Sequence, residues 1–275
     1  MINRMEKYVK LKAQIEPLKS VIVAFSGGVD SALVLKGAVD ALEVSNVMAV
    51  TGRSPSVAES ELIGAREFAA GLNVQHLVID TDEFSNPNYL SNPTNRCYFC
   101  KTTLYEHLHR IRRERDIAVV VNGTNADDLK DYRPGLKAAD EHGVRSPLAE
   151  TGLTKKDIRE ISRELGLPTS DKPAMPCLSS RVAYGEAITP EKLHRIEAGE
   201  EFLHNLGIRE CRVRHHQDMA RIEVPPSVFE KLCAPETAMQ VDRFFRDLGY
   251  AYVTLDLRGF RSGSLNDVIA FGRKQ

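Results

Sequence analysis

No run of apolar residues in this sequence is long enough to cross a bilayer, and Met1 to Lys12 is charged where an export leader would be apolar. The expectation is a cytoplasmic chain with no membrane partner. An excess of one charge is lacking too. The 37 Lys and Arg stand against 38 Asp and Glu, a formal net charge of −1, so no global field draws the chain to nucleic acid or an anionic surface. Cysteine is scarce and odd in number. Five cysteines without a leader argue against a disulfide framework and point to metal binding or thiol chemistry. Also missing is the G-x-x-x-x-G-K-[ST] loop, whose lysine clamps a γ-phosphate.

At 275 residues the chain has room for two modest domains, and its apolar fraction of 42% is ordinary for a globular protein. The most informative stretch is VIVAFSGGVDS, Val21 to Ser31. Val21 to Phe25 reads as a buried parallel strand, and a helical pattern follows through Leu33, Leu35 and Val39. Between them Ser26, Gly27, Gly28, Val29, Asp30 and Ser31 form a glycine turn at a helix start, where backbone N–H groups face an anion. Asp30 would repel bare phosphate, so it is expected to hold Mg²⁺ or cap the turn. SGGVDS resembles the PP-loop of the ATP pyrophosphatase superfamily. That resemblance implies ATP cleaved to AMP and pyrophosphate, with a substrate oxygen adenylated.

The flanking elements fit a doubly wound, mostly parallel α/β sheet of the adenine nucleotide α-hydrolase type, with ligands beyond the strand ends. A helix is expected over Asn3–Pro17, further strands over Val47–Thr51, Val74–Ile79 and Ala118–Val121, and an exposed loop over Asn86–Arg96. Arg53, after the second strand, is a candidate for ATP or its pyrophosphate. Gly123 marks close backbone approach, while Thr124 and Asp128 suit phosphate and Mg²⁺; the bland alternative there is an Asx turn capping the next helix. Asp131 to Gly135 reads as a turn returning Arg133 to the same edge. Thr154 and Asp157 form a box-like helix start. The arginines of the helix running to Arg115 read as a solvated face. We divide the chain into a nucleotide domain over 1–170, a cysteine-bearing loop over 171–188, and a smaller C-terminal α+β domain over 189–275 for substrate or oligomerisation. That last part opens with Pro190 at a first helical position. It continues with a hairpin of Cys211–His215 and Ala220–Val224, two helices, and a strand over Tyr252–Leu257.

Cys97 and Cys100 form a C-x-x-C, and Cys177 lies in a proline-rich loop. Three thiolates without a fourth suit a catalytic zinc or a [4Fe–4S] cluster with one open iron; unlinked cysteines are the bland alternative. Cys211 and Cys233 read as ordinary packing residues. Arg181, close to Cys177, would favour a thiolate able to attack an acyl-adenylate.

TGRSPS, NRCYFCK, NGTNADDLKDYRPG, GLTKKDIREISRELGLP, DKPAMPCLSSRVAYGEAIT and CRVRHH with ARIEVP together resemble the LarE family across nearly the whole chain. This family comprises ATP-dependent sulfur transferases of nickel-pincer nucleotide cofactor synthesis. The resemblance implies adenylation of a carboxylate of pyridinium-3,5-biscarboxylate mononucleotide and its conversion to a thiocarboxylate. Members with a single cysteine at the Cys177 position give up that sulfur and keep dehydroalanine. Members with all three cysteines imply a [4Fe–4S] cluster, here on Cys97, Cys100 and Cys177, and this chain is read as that type. It further implies substrate recognition by Ser180, Arg212 and Arg214, with Glu200 and Glu223 near that site, and a homo-oligomer. Arg212 and Arg214 alternate along one strand, so they share a face, although a solvated face is the plainer alternative. His215 and His216 are expected at the surface.

Two other readings stay open. A tRNA 2-thiolation enzyme also joins a PP-loop to three cysteines, against which stand the near-neutral charge and the lack of an RNA-binding module. A non-catalytic adenine-nucleotide sensor would need the loop but not Asp30, Cys177 or Asp128.

Overall fold

The computed structural model describes residues 4–130, 133–173, 175–261 and 264–266. The chain divides into two compact units, the first of 1–89 and 95–175, the second of 90–94 and 176–275.

The first unit is built on four parallel strands. In chain order its elements are α1 (Arg4–Ile15), β1 (Val21–Ala24), α2 (Val29–Ala41), β2 (Val47–Arg53), α3 (Glu59–Gly71), β3 (Gln75–Asp80), the short α4 (Pro87–Leu90), α5 (Arg96–Glu114), β4 (Val119–Val121), α6 (Pro134–Glu141), α7 (Pro147–Glu150) and α8 (Lys155–Glu164). The strand order is β3-β2-β1-β4, with Val21 opposite both Val47 and Val119. Alternation along β1 divides the core as a doubly wound sheet requires. Val21 and Val23 face a cluster with Leu11, Leu33, Phe68 and Ile158, while Ile22 faces Tyr105, Leu108 and Ala138 on the other side. Thr154 and Asp157 make the expected capping box at the start of α8.

Two expectations change in this unit. β2 continues through Gly52 and Arg53, which pair with Ile79 and Asp80, so Arg53 stands on a strand end and not in a loop. The loop over 86–96 is not wholly exposed, because α4 interrupts it and Asn92 is buried in the second unit. There the Asn92 amide donates to the carbonyls of Val182 and Ala183, and the Asn92 carbonyl accepts from Gly185.

The second unit contains α9 (Pro190–Asn205), β5 (Arg212–His216), β6 (Met219–Glu223), α10 (Phe229–Cys233), α11 (Pro235–Asp247) and β7 (Tyr252–Leu255). β5 and β6 form the expected antiparallel hairpin, and β7 joins β6 in parallel. Thr189 caps α9, with Pro190 at the first helical position. Within α9, Gly199 leaves room for the Phe245 ring of α11; a Cβ there would lie 2.9 Å from it. His215 departs from expectation. It is only 2% exposed, with Nδ1 3.1 Å from the Tyr250 hydroxyl and Nε2 3.0 Å from Glu186, and burial lowers its pKa. His216 is half-buried.

Candidate functional site

In the first unit, the turn between β1 and α2 is shaped by its own residues. Gly27 has φ of +70°, in the left-handed region, and a Cβ there would meet Ala65 at 3.2 Å. The Ser31 hydroxyl donates to the Gly28 carbonyl and accepts from the Ser26 N–H, and Ser26 Oγ lies 3.1 Å from it. These bonds fold the turn back over the start of α2, whose first N–H groups have no intrahelical acceptors. Val29 opens that helix and is buried.

The loop after β4 is pressed against this turn. Gly123 sits so close that a Cβ would lie 2.7 Å from the Ser31 nitrogen. Thr124 follows, its N–H donating to the Asn122 side chain. Asn125 Oδ1 accepts from the N–H groups of Asp127 and Asp128, while the Asn125 N–H donates back to Asp128. The Asx turn weighed from sequence is therefore formed, and Asn125 also extends its amide to Asp30 at 3.4 Å. Asp128 is buried, which raises its carboxyl pKa, and Arg133 pairs with its other oxygen at 2.9 Å. Arg133 thus returns to this edge as expected, although Asp131 and Tyr132 lie outside the described residues.

Two lysines that sequence reasoning missed approach the turn. Lys155, the first residue of α8, places Nζ 2.5 Å from Asp30. Lys172 places Nζ 3.1 Å from the Gly27 carbonyl and 2.9 Å from Glu61. The loop has no lysine of its own, so the cations beside it come from more than 120 residues away in the chain. The capping box fixes where α8 starts, which puts Lys155 at its tip, but no local signal names Asp30 as its partner. Arg53 makes a two-point pair with Asp80, at 2.6 and 2.8 Å, and both side chains are exposed.

A magnesium ion that accompanies a nucleotide needs only one or two protein carboxylates, the rest of its shell being phosphate and water. The carboxylates at this edge are Asp30, partly exposed with its oxygens toward Asn125 and Lys155, and Asp128, buried with its oxygens toward Asn125 and Arg133; the more accessible Asp30 fits that need better. A three-thiolate cluster is a different case. Cys97, exposed, and Cys100, half-buried, stand one turn apart at the start of α5 in the first unit, and Cys177 belongs to the second. Among the described residues no group of three or more His, Cys, Asp or Glu is placed to hold a metal ion.

In the second unit, Cys177 opens a tight turn over Leu178–Arg181, its carbonyl accepting from the Ser180 N–H. Arg181 runs beneath this turn, 1% exposed. Its Nη1 donates to the carbonyls of Pro176 and Cys177 and to the Ser180 hydroxyl, while Nε and Nη2 each meet Glu200 at 2.9 Å. Arg214 donates to the Ser180 carbonyl at 2.7 Å and pairs with Glu223 at 3.0 Å, where Ser264 also binds. Glu200 further accepts from the Val213 N–H, which fixes the carboxylate to β5. Arg212 lies over the Phe260 ring, and burial, with Arg181 nearby, pulls its pKa down to about 10. Of the residues expected around a substrate, Arg214 and Glu223 are buried together and Glu200 is buried against Arg181, and Arg181 and Arg214 seat the cysteine turn by its carbonyls. The Cys177 side keeps partial exposure. Cys211 is buried, and burial pushes its thiol up to about 12, as befits a packing residue.

A family model described as NAD synthase matches residues 1–92. An uncharacterised protein of Synechocystis is 46% identical over 96% of this chain and 98% of its own length. A pyridinium-3,5-bisthiocarboxylic acid mononucleotide synthase of Lactiplantibacillus plantarum is 40% identical over 96% of this chain and 95% of its own. An uncharacterised protein of Methanocaldococcus jannaschii is 33% identical over 94% of this chain and 98% of its own.

Proposed function

This chain belongs to the LarE family of PP-loop ATP pyrophosphatases, and from that membership we propose a two-stage reaction on pyridinium-3,5-biscarboxylate mononucleotide. In the first stage a substrate carboxylate oxygen attacks the α-phosphorus of ATP. The bond from the α-phosphorus to the bridging oxygen breaks, pyrophosphate leaves, and an acyl-adenylate remains. The turn from Ser26 to Ser31 receives the phosphates on backbone N–H groups. Asp30 would hold Mg²⁺, which supplies charge neutralisation on the phosphates, and Lys155 keeps that carboxylate in place.

In the second stage the Cys177 thiolate attacks the acyl carbon and AMP leaves, giving a thioester. Loss of the Cys177 Cα proton with cleavage of its Cβ–S bond then yields the thiocarboxylate and leaves dehydroalanine. The observation that carries this reading is the seat of Cys177: two buried arginines grip the carbonyls around it while the residue itself stays partly exposed. Arg214 retains a buried Nε that meets no acceptor among the described residues, a donor suited to a substrate phosphate or carboxylate.

The cluster version, with Cys97 and Cys100 joining Cys177, rests on the three cysteines of the sequence alone. Iron and acid-labile sulfide after anaerobic purification test it. Intact mass after one turnover tests the donor directly. Loss of the mass of H₂S at Cys177 supports donation from that residue; an unchanged mass with thiocarboxylate formed assigns the sulfur to another source. Homo-oligomerisation and a cytoplasmic setting complete the proposal, and light scattering measures the first.

A further inference from the structure

The chain segment leading to Cys177 begins on the PP-loop. Lys172 stands five residues before that cysteine, and its ammonium bridges the Gly27 carbonyl and Glu61 on α3. Its backbone is held as firmly. Arg159 of α8 donates to the carbonyls of Ser170 and Lys172, both at 2.8 Å, and the N–H groups of Ser170 and Lys172 close a turn onto Leu167 and Thr169.

The lysine's present acceptors are unequal. Glu61 is a carboxylate and balances its charge, whereas Gly27 offers only a neutral carbonyl, in the residue that gives the anion turn its shape. A phosphate oxygen is the stronger acceptor, because its full negative charge adds Coulombic attraction to the ammonium that a carbonyl dipole does not supply. Lys155 is already committed to Asp30. Lys172 is a second cation at the turn, with enough stem to shift its Nζ while Arg159 holds its backbone.

We infer that Lys172 is a further nucleotide-binding and positioning residue. When phosphates enter the turn its ammonium leaves the Gly27 carbonyl for them, and the stronger bond tightens the turn over 170–172. Nucleotide occupancy is thereby felt at Lys172, five residues before the sulfur-bearing residue in sequence. The inference rests on the ATP use proposed above and not on the identity of the acceptor.

The test uses the full chain with Mg²⁺ and α,β-methylene ATP, which binds without being cleaved at that bond. Calorimetry and amide hydrogen exchange are read together. In the wild type the nucleotide slows exchange at Ser170 and Lys172 as well as at the turn itself. Lys172→Met weakens binding about tenfold to a hundredfold, as loss of a hydrogen bond to a charged group implies, and abolishes the slowing at 170–172 while that at 26–31 persists. Lys172→Arg recovers most of both. Glu61→Gln, which releases the lysine from its carboxylate, tightens binding several-fold. Unchanged affinity in Lys172→Met, or slowing at 170–172 that survives the substitution, overturns the inference. Neither readout needs the pyridinium substrate. A wild type that binds nucleotide but forms no pyrophosphate would sink the proposed reaction and leave this coupling standing.

Discussion

Arg181 and Glu200 lie nineteen residues apart in the chain and close on each other through two bonds of 2.9 Å, Nε to Oε1 and Nη2 to Oε2. Water scarcely reaches either side chain, at 1% and 5% exposed. A buried ion pair adds little net stability over an apolar pair, but removing one partner strands the other charge at about 3–5 kcal/mol. Here the stranded group would be the arginine that grips the Pro176 and Cys177 carbonyls.

Glu200→Gln is therefore expected to destabilise the chain by about 3 kcal/mol or more, read as a lower urea midpoint with an unchanged slope. Sulfur delivery should fall further than pyrophosphate release, because the PP-loop lies in the other unit. Equal loss of both would contradict the assignment of Arg181 as the seat of Cys177.

Gly123→Ala tests the packing of the β4 loop on the PP-loop. The new methyl would lie 2.7 Å from the Ser31 nitrogen and 3.1 Å from the Asp30 carbonyl carbon, both backbone atoms that cannot rotate away. A cost of about 1–3 kcal/mol is expected, with a raised KM for ATP in pyrophosphate release. Gly71→Ala at the end of α3, where a Cβ meets nothing within 4 Å, is the control and should leave both unchanged.

Glu150 sets an acid limit on stability. Its hydrogen bonds from Arg145, and then those from Gln14 and Ser146, lower its pKa from the ordinary 4.5 to about 2. A carboxyl depressed in the folded state stabilises it above the unfolded pKa and loses that contribution as pH falls. The stability difference between wild type and Glu150→Gln should thus be constant above about 4.5 and shrink toward zero near 2. Denaturation at several pH values measures it; a gap that widens on acidification would contradict the pairing.

Much of the first unit was legible because strand and helix signals agreed there. Val21 to Ala24 is apolar on both faces, the serines and glycines that follow admit little but a turn, and α8 announces its start with Thr154 and Asp157. Less legible were contacts set by the tertiary fold. Nothing near Lys155 or Lys172 marks them as partners of Asp30 and Gly27, since each approach is made from far along the chain, at the start of α8 and in the turn after it. Asn92 sits in a stretch rich in turn formers, yet it is buried because its amide satisfies two carbonyls of the Val182 segment. His215 alternates with arginines on β5, so its burial depended on Tyr250 and Glu186, which the strand pattern does not reveal.

The most direct test of the two-stage account is a single-turnover assay of Cys177→Ser with Mg–ATP and pyridinium-3,5-biscarboxylate mononucleotide, following pyrophosphate and thiocarboxylate together. The account predicts that the variant releases pyrophosphate as the wild type does and forms no thiocarboxylate. Thiocarboxylate at the wild-type level in the absence of the Cys177 sulfur would contradict it.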